Sequence, residues 1–148
     1  MEYFDEVNES GYGFLTKLKE MSGNRNSLLL NIQAQKKSAK EEYIIISGKS
    51  MGPMRRIFTD GTCAKYEIYF AHYISYNVYN ESYIVQNEDI YIGTTLRIYS
   101  KSKYLDFITE FTTADYIWPG ELKHYAVLSQ NHVVDIVSTF EPIIKRLR

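Results

Sequence analysis

The chain has a single cysteine in 148 residues, so no internal disulfide can brace it and its fold must rest on a packed core. A lone thiol suits a reducing cytosol. As a nucleophile Cys63 would need a thiolate-stabilising neighbour, and only Lys65 stands near it in sequence; Cys63 is therefore expected to be structural. Three prolines are too few for a linker-rich protein. Charge of one sign is also lacking: 17 basic against 18 acidic residues leave a net of −1. The cationic excess by which nucleic-acid binders neutralise phosphates is missing, which argues against that partner. The small clusters Lys36, Lys37 and Lys40 beside Glu41 and Glu42, Arg55 with Arg56, and Lys145, Arg146 and Arg148 read as solvated surface. No apolar run approaches the ~20 residues that span a bilayer. The acidic start, MEYFDEVNESGYG, lacks the basic segment and apolar run of a signal peptide. A soluble, cytoplasmic protein without membrane contact is expected.

Catalytic signals are equally sparse. Gly48-Lys49-Ser50 follows an apolar run and invites a phosphate-loop reading, but the first glycine of that motif would stand at position 43, which is Tyr43. Met51, Gly52 and Pro53 then suit a turn rather than the helix that would help hold the phosphate. The histidines His72, His124 and His132 form no close cluster with ligand spacing, so no metal and no cofactor are expected. A turn at Gln130–Asn131 would set His124 opposite Val137 and His132 opposite Ser129, which keeps the two apart. His132 and Asp135, three apart on a strand, face opposite ways and cannot act as a dyad. Glu81, Glu88 and Asp89 fit a solvated turn better than a carboxylate pair.

Aromatic residues are plentiful. With 15% aromatic, 45% hydrophobic and 24% charged residues, the composition is that of a globular chain biased toward strands and contact surfaces. Phe14, Leu15, Leu18 and Met21 stand at helical spacing, and Leu105 and Ile108 mark a second helix with Ser102 as N-cap. LLLNIQAQ alternates as a half-buried strand, with YIIIS its plausible hairpin partner. Asp60-Gly61 suggests a hairpin into the next segment, IYIGTTLRIYS a further strand, and HYAVLSQNHVVDIVS a hairpin about Gln130–Asn131. Pro142 and the terminal cations suit a short last helix. With no composition break, residues 1–148 are expected to form one α+β domain, a mainly antiparallel sheet of about six or seven strands with two or three helices.

The densest feature is YEIYFAHYISYNVYNESY, residues 66–83, with six tyrosines at intervals of three and four. Read by parity, Tyr66, Ile68, Phe70, Ile74, Tyr76 and Val78 share an apolar face interrupted only by His72. Glu67, Tyr69, Tyr73, Ser75, Asn77 and Tyr79 share the other. Strand periodicity wins over helix, and the excess length predicts a bulge or bend. Tyr69, Tyr73 and Tyr79 then form an outward row. Either a second layer covers it or it is a binding face, because tyrosine offers contact area at low entropic cost. Trp118, in the loop DYIWPGE, either plugs the core edge or adds a binding hot spot.

YNESY, GTTLRIYSKSKYLDFI and HYAVLSQNHVVDIVS together resemble small uncharacterised proteins of low-GC Gram-positive bacteria and their mobile elements, over roughly the C-terminal half. The resemblance implies an immunity- or antitoxin-type binder whose partner is another protein, a toxin or a defence factor. The leading expectation is thus a non-catalytic protein-binding domain using Tyr69, Tyr73, Tyr79 and Trp118. The alternative is a protein or enzyme holding a small, nucleotide-like ligand in a tyrosine-lined pocket.

Overall fold

The computed structural model describes residues 1–23 and 25–148. In chain order the elements are α1 (Phe4–Glu9), β1 (Phe14–Met21), β2 (Ser27–Gln33), β3 (Lys36–Ile46), β4 (Lys49–Phe58), β5 (Lys65–Phe70) and β6 (Ser75–Asn80). A 3₁₀ turn at Glu81–Tyr83 leads to β7 (Ile90–Ile92), β8 (Leu96–Lys101), α2 (Lys103–Phe111), β9 (Lys123–Leu128), β10 (His132–Ser138) and β11 (Ile143–Leu147). The architecture is α+β and antiparallel, as expected, but with eleven strands in three sheets rather than six or seven. One sheet has the order β1-β2-β5-β11, a second β6-β10-β9-β8-β7, and β3 and β4 pair only with each other.

The two larger sheets share one core. Leu28, Leu30 and Ile32 of β2, Tyr66, Ile68 and Phe70 of β5 and Ile144 of β11 meet Leu96, Tyr125, Val127, Val134 and Ile136 from the five-stranded sheet. The Phe70 and Tyr125 rings touch across the layers, centroids 5.5 Å apart. Fully burying side chains of this size stabilises by about 1.5–3 kcal/mol each, so this cluster dominates the energetics. Val7 of α1 plugs one end. There Glu6 accepts hydrogen bonds from the Tyr66 hydroxyl (2.9 Å) and from Arg146 (2.7 Å).

The tyrosine segment contains the predicted bend. β5 lies in one sheet and β6 in the other, and residues 71–74 turn the corner between them, as strands that switch sheets do. The predicted parity holds on β5 and at Tyr76, but Tyr73, which it placed outward, also packs against the core, and Val78 is exposed. Tyr66, Ile68 and Phe70 are buried, and Tyr76 still packs against the common core.

Five sequence expectations fail for identifiable reasons. Residues 14–21 are strand β1, not a helix: a register shift between Leu15 and Lys17 inserts an extra residue, so Leu15 and Leu18, three apart, both pack on the core. The bulge imitates helical spacing. The terminal segment is strand β11, not a helix, because Ile144 gains a buried place beside Ile68 on β5, and Pro142 just before a strand costs no ladder bond. IYIGTTLRIYS is two strands; Gly93, with φ 88°, turns the chain, and a Cβ there would lie 2.1 Å from the Leu96 carbonyl oxygen. Asn8 Oδ1 holds this turn by accepting from the backbone N–H of Thr94, Thr95 and Leu96 at 2.7–3.0 Å. YIIIS pairs with β4 rather than with β2, and the Asp60-Gly61 turn joins two sheets instead of closing a hairpin.

Candidate functional site

The β3–β4 hairpin is an arm. Its turn is Ser47-Gly48, both with positive φ (51° and 76°), the geometry of a two-residue hairpin turn. Gly48-Lys49-Ser50 thus enters a strand, with no helix after it. The arm packs chiefly on itself, and nearly every residue from Lys36 to Phe58 is exposed. Near its tip Tyr43 and Ile45 are 70% exposed, Met51 59% and Ile46 56%. Residues 36–58 carry six cations against two carboxylates, a net of +4, which leaves the rest of the chain at −5. Basic arm and acidic body are invisible in the overall charge of −1.

Further exposed apolar side chains stand on α2 and in the loop that holds Trp118. Phe107 and Phe111 of α2 stack at 5.1 Å on its outer face, and Tyr116, Ile117 and Trp118 follow in the next loop, all more than three-quarters exposed. Asp115 Oδ1 pins that loop by accepting from the N–H of Ile117 and Trp118, both at 2.8 Å.

The outer face of the five-stranded sheet carries the principal cavity, about 620 Å³. Leu128 and Val133 line its floor; they form a small buried cluster with Ala126, and Tyr99 packs on it. Around it stand Tyr12, Tyr79, Tyr91, Tyr99 and Tyr104, with Arg97, Lys103, His124, Asp135, Asp89 and Glu81 as the ionisable groups. Pairing in β8-β9-β10 explains the assembly: Tyr99 opposes His124, Arg97 opposes Ala126, and Ala126 opposes Asp135, so all point to one side.

At the cavity's edge lies a buried polar chain. Ser102 Oγ accepts the Leu105 N–H at 3.0 Å as the predicted N-cap of α2, and is 2.7 Å from His124 Nδ1. His124 Nε2 is 3.0 Å from Asp135 Oδ1. The arrangement that satisfies every group has Ser102 donating to Nδ1 and Nε2–H donating to Asp135. This is a serine, a histidine and an aspartate in contact, but it lacks a nucleophile. Ser102 is buried, its oxygen is committed to the helix cap, and it does not line the cavity. The network is a brace that fixes the imidazole, with Tyr99 stacked on it at 4.1 Å.

Tyr79 is pushed up to about 12, by burial first and then by the Asp135 charge. Burial also raises Tyr99, opposed by the hydrogen bond and charge of Arg97. Arg97 itself lies over the Tyr91 ring at 4.1 Å and reaches the Tyr12 hydroxyl at 3.5 Å. Its Nε–H is buried with no acceptor.

The four residues singled out from the sequence occupy four different places. Tyr69 sits on the outer face of the four-stranded sheet, flanked by Leu29 and Ile143 on the neighbouring strands. Tyr73 lies in the corner, where its hydroxyl and that of Tyr76 both donate to Glu20 (2.7 and 2.8 Å). The bond to Glu20, then burial, pushes Tyr73 up to about 12, while the two phenols pull Glu20 below its ordinary range. Tyr79 lines the cavity, and Trp118 stands in its own exposed loop. The corner at residues 71–74 therefore breaks the outward row apart. Sequence reasoning missed Arg97, the other cavity tyrosines and the His124–Asp135 pair. The pair was within reach: the hairpin register that sets His124 opposite Val137 also puts Asp135 on its diagonal, on the same face. His132 is exposed and His72 half-buried in the corner, where its backbone carbonyl accepts from Ser138.

Among the described residues no group of three or more His, Cys, Asp or Glu is placed to hold a metal ion. No helix among them is long and apolar enough to cross a membrane. Comparison with known proteins adds no assignment: no family model, no curated protein and no solved structure matches the chain.

Proposed function

We propose that the protein is a non-catalytic, cytosolic protein-binding domain, and that the β3–β4 arm makes the principal contact. The exposed apolar tip carries this reading. A lone two-stranded hairpin is marginal in water, and apolar side chains on both faces gain most of their stabilisation only when another surface covers them. The net charge of +4 on residues 36–58 selects the partner's chemistry: an apolar recess ringed by carboxylates. Both outer edges of the hairpin also offer free backbone groups to a partner strand. The exposed Phe107, Phe111 and Tyr116–Trp118 side chains supply further contacts, and Trp118 is the residue type that most often anchors an interface. A toxin or defence factor, the partner class implied by the sequence resemblance, belongs to this reading.

The decisive comparison is between the native chain and Ile45→Asp, with Met51→Asp as a second tip variant. Both tip side chains are exposed, so the fold should be unaffected. Partner capture from a native lysate should fall at least about tenfold in each variant, and should weaken as salt rises. Capture that is unchanged in both variants would sink the proposal. So would an arm that serves only to pair two copies of this chain, seen as a dimer that the tip variants convert to monomer without any other protein bound.

A further inference from the structure

We infer that the cavity on the outer face of the five-stranded sheet binds a small organic anion, a carboxylate or phosphate carried on a flat ring, with Arg97 receiving the anionic group. Two of the carboxylates that line the cavity already accept hydrogen bonds. Asp135 takes the His124 Nε2–H. Asp89 accepts the Lys103 backbone N–H on one oxygen and the Asn87 amide on the other. The two cations have no such partner: neither Arg97 nor Lys103 makes an ion pair among the described residues. Arg97 is surrounded by Tyr12, Tyr91 and Tyr99 and keeps a buried Nε–H without an acceptor. A partly buried guanidinium with no carboxylate is costly unless something anionic completes it, and its planar fork suits a carboxylate or phosphate.

The Glu81 carboxylate, also in the lining, makes no hydrogen bond among the described residues, and topology removes it from the anion's end. It follows β6, whereas Arg97 is on β8, with β10 and β9 between them. Three strand spacings make that separation roughly 14 Å. Glu81 therefore lies away from the end of the cavity that Arg97 occupies.

The ring follows from the tyrosines. Tyr99 is covered by His124 and one face of Tyr91 by Arg97, but Tyr79 takes part in no ring contact and is 38% exposed at the cavity. It is free to stack on a flat ligand. The volume of about 620 Å³ is within the range of cavities that hold mononucleotide-sized molecules.

The test is calorimetric titration of the full chain with five probes: adenosine and uridine 5′-monophosphates, indole-3-carboxylate, adenosine and inorganic phosphate. At least one ring-bearing anion should bind below about 1 mM, at least about tenfold tighter than adenosine or phosphate alone. The nucleotide and indole arms separate a phosphate ligand from a carboxylate one. Arg97→Gln, with folding checked by melting temperature, should weaken that binding at least tenfold. Tyr79→Ala should weaken it while Tyr79→Phe keeps it, which distinguishes stacking from the hydroxyl. The inference is overturned if no ring-bearing anion binds, if phosphate alone binds as tightly, or if a folded Arg97→Gln binds like the native chain. Ile45→Asp at the arm tip should leave the titration unchanged, so the cavity and the arm stand or fall separately.

Discussion

The β3–β4 arm and the five-stranded sheet are both antiparallel ladders that carry isoleucine and tyrosine, and they end in opposite conditions. The sheet buries one face in the common core, and its other face carries the Ser102–His124–Asp135 brace and the cavity. The arm has neither face occupied, and its Tyr43, Ile45 and Met51 stand in solvent. Strand-forming residues specify the ladder, not what covers it. Within the sheet, burial turns each apolar side chain into stability. On the arm the same side chains are held in reserve for another surface.

That contrast can be broken most sharply by matched truncations. Phe70→Ala, which empties a fully buried site beside Tyr125, should cost about 3–5 kcal/mol. Ile45→Ala on the arm should change stability by less than about 0.5 kcal/mol. Urea denaturation of both variants measures the difference, and similar losses would show that the arm is part of the cooperative fold. A smaller effect is expected from Asp135→Val, which leaves the buried His124 Nε2–H without an acceptor; the loss should be about 1–3 kcal/mol. A double-mutant cycle with His124→Phe should recover part of it if the pair is the brace described. Excising the whole arm should also cost little. Lys37 and Ile57 are paired, so an Asn-Gly turn can join them, and the shortened body should keep its stability within about 1 kcal/mol. A larger loss would mean that the arm supports the body on which it stands.

Legibility from sequence followed the range of the interaction. The parity of residues 66–70, the β9–β10 hairpin with its register, and the Ser102 cap all depend on neighbours within a few residues or across one tight turn, and all are present. Where a long-range pairing decided the outcome, local pattern misled. Leu15 and Leu18 imitate a helix because a bulge against β2 restores the same face after three residues. Ile144 is a strand residue only because β5 has an open edge for it. Residues 36–58 gave no sign that their ladder would leave the body, because periodicity does not say which strand lies alongside.

The tyrosines show the same division. By itself the sequence determined that 66–79 is strand-forming, which parity faces the core on β5, and that the segment must bend, since β-branched and aromatic side chains at period two admit little else. Only the tertiary structure decided that Tyr69, Tyr73 and Tyr79 part company at residues 71–74, and that Tyr79 joins Arg97, His124 and Asp135 around one cavity. Those four come from four strands, β6, β8, β9 and β10, and strand order is fixed by which edges pair across the whole chain, not by the residues next to each one.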